Sequence, residues 1–465
     1  MLSGLDARRD RGPASARTHR AEPVPSPQTE HHTSVHVKID RRTFLKLASL
    51  STGAALFPLA GCERSPRPAA ALGRVAVVGG GFAGATAAKY LRKVDPRIEV
   101  TLVEPDDRYV TCPFSNAVLG GLTDIGAITH DYRALSERWG VRHIRARATG
   151  LDPVAGRLDT DTGQRVSFDR VIVAPGISFD FDALDGYDES AIERMPHAWT
   201  GGTQTTWLAE QLRAMPDGGV VAIAVPRAPF RCPPGPYERA SLFAWYLKRA
   251  KPRSKVLVLD SNEKFSKQTL FEQAWAARYG DLIERVPLSG DGAVRRVEPA
   301  SGRLYTDFET IEAAVANVIP PHRAQRFARA AGLADDSGWC PVSGRDFAST
   351  LAPNTYVLGD AALASPMPKS ASAANSQAKQ CALSIAAELR GEVPVDPLFH
   401  NTCYSLVGPD YGISINAMYE AVGDDIRAIE GAGGLSAVDA TLEVRADEAD
   451  YARGWYASIT ADAFA

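Results

Sequence analysis

No uninterrupted apolar run in the 465 residues reaches the ~20 needed to cross a bilayer, so no integral membrane span is expected. No Cys-x-x-Cys-His sequence occurs either, so the chain carries no c-type haem attachment of its own. A basic stripe is also missing. Residues 1–70 hold 11 Lys or Arg against 6 Asp or Glu, which leaves 41 basic and 49 acidic residues from 71 onward. Such an acidic body excludes nucleic acid and permits a cationic protein partner. Cysteine is scarce, 6 in the whole chain, which excludes a small disulfide-held scaffold, and no metal site is expected. What is present is ordinary for a globular enzyme: 45% hydrophobic and 23% charged residues, in a length suited to two or three domains.

Residues 1–70 read as a leader. Residues 1–40 are rich in Pro, Arg, Ser and His without an apolar period, a composition that cannot offset its own ordering entropy. Asp40-Arg41-Arg42-Thr43-Phe44-Leu45-Lys46 and the apolar run to Ala60 then have the layout of a twin-arginine export signal. That route carries folded proteins to the oxidising periplasm, where disulfides persist. Leu59-Ala60-Gly61-Cys62 also matches a lipobox, so lipid anchoring at Cys62 and a plain cleavage site nearby are both open. The stretch before the arginines is long for such a signal, which points to a start downstream of Met1.

The body opens on a buried strand from Arg74, the turn Gly79-Gly80-Gly81-Phe82-Ala83-Gly84, a helix to about Lys93 and a second strand from Ile98 to Glu104. This is a strand-turn-helix-strand unit with G-x-G-x-x-G at its first turn. Gly79 makes the tight turn, Gly81 admits a pyrophosphate to the helix N-terminus, and Gly84 lets helix and strand approach. Glu104 is spaced to accept from an adenosine ribose hydroxyl. Thr355 to Leu358, ending in Gly359-Asp360, resembles the second flavin motif of two-dinucleotide-domain flavoproteins, in which the Asp holds the ribityl chain. Val171-Ile172-Val173-Ala174-Pro175-Gly176 resembles the A-T-G turn of that class. Together they imply FAD. A second strand, Val220 to Val225, leads instead into a stretch from Pro226 to Glu238 with five prolines and one glycine, poor in the backbone donors that cradle a pyrophosphate. The expected architecture is α/β: two Rossmann-like dinucleotide-binding domains of the disulfide-reductase type and a C-terminal α+β interface domain. The flavin domain is expected over 71–184 and 326–396, a nucleotide-free insert over 185–325 and the interface domain over 397–465.

Outside the leader five cysteines remain: Cys112, Cys232, Cys340, Cys381 and Cys403. Four strings around three of them and one helix start carry a resemblance. They are Tyr109-Val110-Thr111-Cys112-Pro113-Phe114-Ser115-Asn116, Arg231-Cys232-Pro233-Pro234-Gly235-Pro236-Tyr237-Glu238-Arg239, the run from Met367 to Gln377, and Asn401-Thr402-Cys403-Tyr404. In these the chain resembles the flavoprotein subunit of flavocytochrome c sulfide dehydrogenase. The resemblance implies that Cys112 carries FAD through a thioether, and that Cys232 and Cys403 form a redox-active disulfide against the flavin. Cys340 and Cys381 read as small core residues.

The helix beginning near Ser370 is expected to aim its N-terminus at the flavin, with Lys369 stabilising the reduced flavin anion and Asn375 and Gln377 as polar contacts. Surface placement of Gln377 is the competing reading. Glu238 is a candidate proton acceptor, or equally an exposed helix-start carboxylate. The family resemblance implies oxidation of sulfide to sulfur or polysulfide, with electrons passed through FAD to a c-type cytochrome on a separate chain. A sulfide:quinone oxidoreductase would share fold and cysteine chemistry but needs a membrane-docking surface, and Val444 to Trp455 is too acidic to suggest one. A non-enzymatic flavin electron relay is the third reading.

Overall fold

The computed structural model describes residues 70–465; the twin-arginine pair and Cys62 lie outside the described residues. Gly73–Val78 and Ile98–Val103 are short, mostly apolar runs that bury four of their six residues each, as parallel strands covered on both faces do. They form the centre of a five-stranded parallel sheet whose order is Thr355–Val357, Arg170–Val173, Gly73–Val78, Ile98–Val103, Arg142–Ile144. Its outermost strand, Thr355–Val357, lies far along the chain from its neighbour Arg170–Val173, so a long stretch is inserted between them. Within that stretch Val220–Val225 and Lys255–Asp260 anchor a second parallel sheet of order Ile283–Val286, Lys255–Asp260, Val220–Val225, Val315–Val318.

Helix Phe82–Val94 starts directly after the glycine turn. A Cβ added at Gly84 would stand 1.8 Å from the Gly79 carbonyl oxygen, so only glycine lets this helix enter so close to the strand. Gly79 itself has φ +95°. Helix Ala371–Leu389 packs beside Phe82–Val94. Asn375 sits at that contact, donating to Thr86 Oγ1 at 3.0 Å and to Asp462 Oδ2 at 2.9 Å.

The last part of the chain is a three-stranded antiparallel sheet, Leu398–Gly408, Tyr411–Val422 and Asp425–Leu435, followed by helix Leu442–Phe464. This segment does more than present an outer surface. Phe464 sits 5.5 Å from the rings of both Phe82 and Tyr109, inside the core of the first sheet. Lys89, almost fully buried, donates to the carbonyls of Ala461, Asp462 and Ala465, so a cation closes the negative end of the terminal helix.

Gly84→Ala is expected to cost about 3 kcal/mol, at the upper end of overpacking effects, because backbone rather than a flexible side chain meets the new methyl. Urea unfolding of the two proteins measures it, and a midpoint unchanged from wild type refutes the close-approach account.

Candidate active site

One cavity lies where the three parts meet. The glycine turn with Phe82 and Ala83 forms one wall, and Glu104, at the end of the second strand, stands over it. Glu104 Oε2 accepts from Gly80 N at 2.8 Å and Oε1 accepts from Asp106 N at 3.1 Å; burial pushes its carboxyl above the usual range. Opposite, Gly359 and Asp360 follow the fifth strand. Asp360 Oδ1 is buried without a hydrogen-bond partner, and burial raises its pKa against the pull of Arg231 and Lys369. A buried carboxylate oxygen left unpaired beside a cavity calls for a donor from a ligand. Together with the helix N-terminus at the glycine turn, these carboxylate acceptors fit the pyrophosphate and the ribose and ribityl hydroxyls of FAD.

Three cysteines from distant parts of the chain line the same cavity. Cys112 follows strand Arg108–Val110; its thiol donates to the Trp199 carbonyl at 2.9 Å, and Arg231 Nη2 donates to its sulfur at 3.1 Å. Cys232 lies in the proline-rich loop with φ +56°, a strained conformation for a side-chain-bearing residue and one found at functional sites. Its N–H donates to the Lys369 carbonyl and its own carbonyl accepts from Gly235 N, both at 2.8 Å. Cys403 comes from strand Leu398–Gly408. All three are half-buried, and Cys232 and Cys403 are the pair expected to form the redox-active disulfide. Burial pushes both thiols up. Cys340 and Cys381 are fully buried in the hydrophobic core.

Several expected site residues stand elsewhere. Lys369 does not line the cavity: its ammonium donates to the carbonyls of Asp360 at 2.9 Å and Ala362 at 2.8 Å and lies 3.6 Å over the Trp339 ring. Asn375 and Gln377 are buried braces rather than cavity contacts, and Gln377 is not on the helix surface. Gln377 Oε1 accepts from Gly359 N at 2.9 Å, holding the turn that presents Asp360. The cavity is lined instead by Ser370, Ala371, Ser372 and Ala374, at the start of helix Ala371–Leu389. Glu238 does line the cavity but is not exposed; burial raises its carboxyl. Its Oε2 accepts from Asn116 Nδ2 at 2.8 Å and its Oε1 from Leu406 N at 2.7 Å.

Sequence reasoning assigned no role to Arg231, Arg239, Asn116 or Lys267. The first three stood inside the motif strings, but nothing in a string says which way a side chain turns. Arg239 is buried, with Nε on Asn116 Oδ1, Nη1 on the His197 carbonyl and Asn317 Oδ1, and Nη2 on the Ala198 carbonyl. Burial lowers its pKa to about 10. It thereby holds the Ala198–Trp199 wall against the turn that carries Cys112.

Comparison with known proteins agrees with this layout. Residues 205–320 match the central-region profile of the sulfide dehydrogenase (flavocytochrome c) flavoprotein chain, and residues 395–464 the flavocytochrome c sulphide dehydrogenase flavin-binding profile. Residues 73–206 match pyridine nucleotide-disulphide oxidoreductases. A 45-residue stretch is 76% identical to the sulfide dehydrogenase (flavocytochrome c) flavoprotein chain of Chlorobaculum thiosulfatiphilum, covering 94% of that sequence and 10% of this one. The chain belongs to the flavocytochrome c sulfide dehydrogenase flavoprotein family. The mitochondrial sulfide:quinone oxidoreductase of Mus musculus is 23% identical over 301 residues, 62% of this chain and 65% of that one. The match to the Aquifex aeolicus sulfide-quinone reductase, 26% identical, spans 52% of its length, so the chain covers between half and two thirds of these two relatives. In fold, the solved sulfide:quinone oxidoreductase of Aquifex aeolicus superposes with a TM-score of 0.64 at 17% identity, over 84% of this chain and 92% of that one. The members of this family are flavoproteins, and the two wound sheets are those of the disulfide-reductase class.

Burial lowers the Lys369 pKa to about 8, below the ~10.4 of an unfolded lysine. The charged form is therefore penalised in the folded state below pH 8, and the penalty is relieved as the pH rises from 8 towards 10.4. Lys369→Met should remove that rise: the wild type gains about 1–3 kcal/mol relative to the variant between pH 7.5 and 10, read from urea midpoints. Parallel pH dependences in the two proteins refute a buried, depressed Lys369.

Proposed function

We propose that this protein is a flavin-dependent sulfide dehydrogenase that oxidises hydrogen sulfide to sulfur or polysulfide and passes the electrons to a c-type cytochrome on another chain. The observation that carries the reading is the convergence of Cys112, Cys232 and Cys403 on one cavity that also holds the glycine turn and the unpaired Asp360 oxygen. FAD bound there supplies a two-electron acceptor able to release its electrons singly. Cys112 holds it covalently through a thioether. Cys232 and Cys403 cycle between dithiol and disulfide: hydrosulfide attacks the S–S bond, a new S–S bond forms to one cysteine, and the other leaves as a thiolate. Glu238, whose carboxyl is raised by burial, takes the proton of hydrogen sulfide. The glycine turn, Glu104 and Asp360 bind the dinucleotide, while Phe114, Trp199 and Trp455 narrow access for water.

The site of action in this reading is the periplasm, reached by the twin-arginine route, with Cys62 as a lipid anchor where the lipobox is used. The absence of a haem motif requires a separate cytochrome subunit, and the acidic body suits a cationic one. Quinone as acceptor is the second reading, favoured by the names of the mouse and Aquifex relatives. Among the described residues no helix is long and apolar enough to cross a membrane.

Cys232→Ser and Cys403→Ser should each retain flavin and lose sulfide-dependent cytochrome c reduction by about a thousandfold or more. Cys112→Ser should keep its flavin until acid or denaturant releases it, whereas wild-type fluorescence stays with a Cys112 peptide on a denaturing gel. Undiminished turnover in both serine variants of the pair sinks the disulfide chemistry. Reduction of a short-chain quinone in preference to cytochrome c moves the acceptor to the second reading.

A further inference from the structure

The proline-rich loop of the inserted part reaches across to Cys112. Arg231 stands in that loop immediately before Cys232, and its Nη2 donates directly to Cys112 Sγ at 3.1 Å. Two further bonds close a ring around this contact: the Cys112 thiol donates to the Trp199 carbonyl at 2.9 Å, and Trp199 Nε1 donates to the Arg231 carbonyl at 3.0 Å. Arg231 N in turn donates to His322 Nδ1 at 2.9 Å, which fixes the backbone from which the guanidinium extends. Segments distant in the chain are thus joined at the Cys112 sulfur, and Arg231 is the charged member of the ring.

Other charged and titratable groups face Cys112: Tyr109 from the strand before it, Arg239 from helix Gly235–Ala250, and Cys232. Geometry separates the two arginines. Every guanidinium nitrogen of Arg239 is taken by oxygens, those of Asn116, His197, Asn317 and Ala198. Arg231 gives Nη2 to the sulfur and leaves Nε buried without a partner. Asp360 Oδ1, also buried and unpaired, belongs to the same cavity, and neither atom bonds the other. An unpaired guanidinium nitrogen and an unpaired carboxylate oxygen at one cavity call for a polar ligand there, beside the Cys112 sulfur. A thiol attacks carbon as its anion, and a cation in hydrogen-bond contact favours that anion.

We propose that Arg231 is a catalytic residue for attachment of the flavin: its guanidinium aims the Cys112 sulfur and stabilises the thiolate that bonds the 8α carbon of FAD, so that the folded chain modifies itself. This rests on the covalent flavin proposed above. In the reaction the S–H bond of Cys112 and one C–H bond of the 8α methyl break and a C–S bond forms. The two electrons released pass through the flavin to dioxygen, and the two protons go with them, giving one hydrogen peroxide. The loop whose prolines remove the donors for a pyrophosphate of its own carries, on this account, the cation that fixes the flavin of the neighbouring sheet.

The test follows attachment in the purified, flavin-loaded protein, by flavin fluorescence and mass of the denatured chain, in wild type, Arg231→Met, Arg231→Gln and Arg231→Lys. Wild type should hold its flavin on the Cys112 peptide. Arg231→Met, which keeps the bulk, and Arg231→Gln, which keeps a donor without the charge, should carry flavin that denaturant releases. On incubation with FAD in air both should attach it about tenfold or more slowly than Arg231→Lys, which keeps the cation. One hydrogen peroxide should form per flavin attached, and attachment at the same rate without dioxygen overturns that electron path. Complete attachment in both neutral variants overturns the role of Arg231 and leaves the covalent flavin standing. A defect equally large in the lysine variant overturns it too, in favour of packing. Wild-type flavin released by denaturant overturns the covalent reading itself, and the proposal with it.

Discussion

A single buried carboxylate ties together the three segments that bring cysteines to the cavity. Glu238 begins the helix that follows Cys232, accepts from Asn116 four residues beyond Cys112, and accepts from the backbone of Leu406 three residues beyond Cys403. Each donor is drawn from a different part of the fold, and losing a buried hydrogen bond to the carboxylate costs about 1–3 kcal/mol. Asn116 extends the node, since its carbonyl oxygen accepts from Arg239 and its amide also reaches the Gly235 carbonyl. The relative placement of the thiols is therefore set by one hydrogen-bonded cluster and not by three independent loops.

Around that cluster the charge balance is unusual. Arg231, Arg239 and Lys267 line or back the cavity, and none forms an ion pair with a carboxylate among the described residues. Carbonyl oxygens, a hydroxyl and a cysteine sulfur take their hydrogen bonds. Buried cations held by dipoles are costly in a resting protein but become assets when negative charge appears nearby. Thiolate formation and electron uptake by a flavin both create such charge. Dipoles fixed by the fold need no reorganisation at that moment, which gives the stored desolvation cost a use.

Much of this was legible in the sequence, and the boundary is physical. The glycine turn, the strands Gly73–Val78 and Val220–Val225 and the loop of five prolines are local signals: continuous apolar runs for buried strands, glycine where φ is positive, proline where donors are dispensable. The cysteines stood out as chemistry. What failed was direction. Lys369, Asn375 and Gln377 lie on the segment that faces the site, yet their side chains turn to carbonyls, to Asp462 and to Gly359. Lys267 gave no signal at all, because a lysine in a polar loop reads as solvated until the fold brings it 136 residues along to Cys403.

The strand that carries Cys403 shows how the site is held on both sides. Leu398–Gly408 is the edge of its sheet, and an edge strand offers backbone donors that must find partners. Here helix Ala371–Leu389 supplies them through serines: Thr402 N donates to Ser372 Oγ and His400 N to Ser376 Oγ, both at 3.0 Å, while Ser370 Oγ donates to Asn401 Oδ1 at 2.6 Å. Serine is a poor choice for a helix interior on propensity alone, so hydroxyls repeated on the face turned to this strand serve the contact and not the helix. Beyond Thr402 the strand passes from the serine face to Lys267 and Glu238, which belong to the inserted part. Cys403 lies at the changeover. Its sulfur is thus fixed simultaneously by the flavin-domain helix and by the element that carries Cys232, and a shift of either part alters the separation of the two thiols.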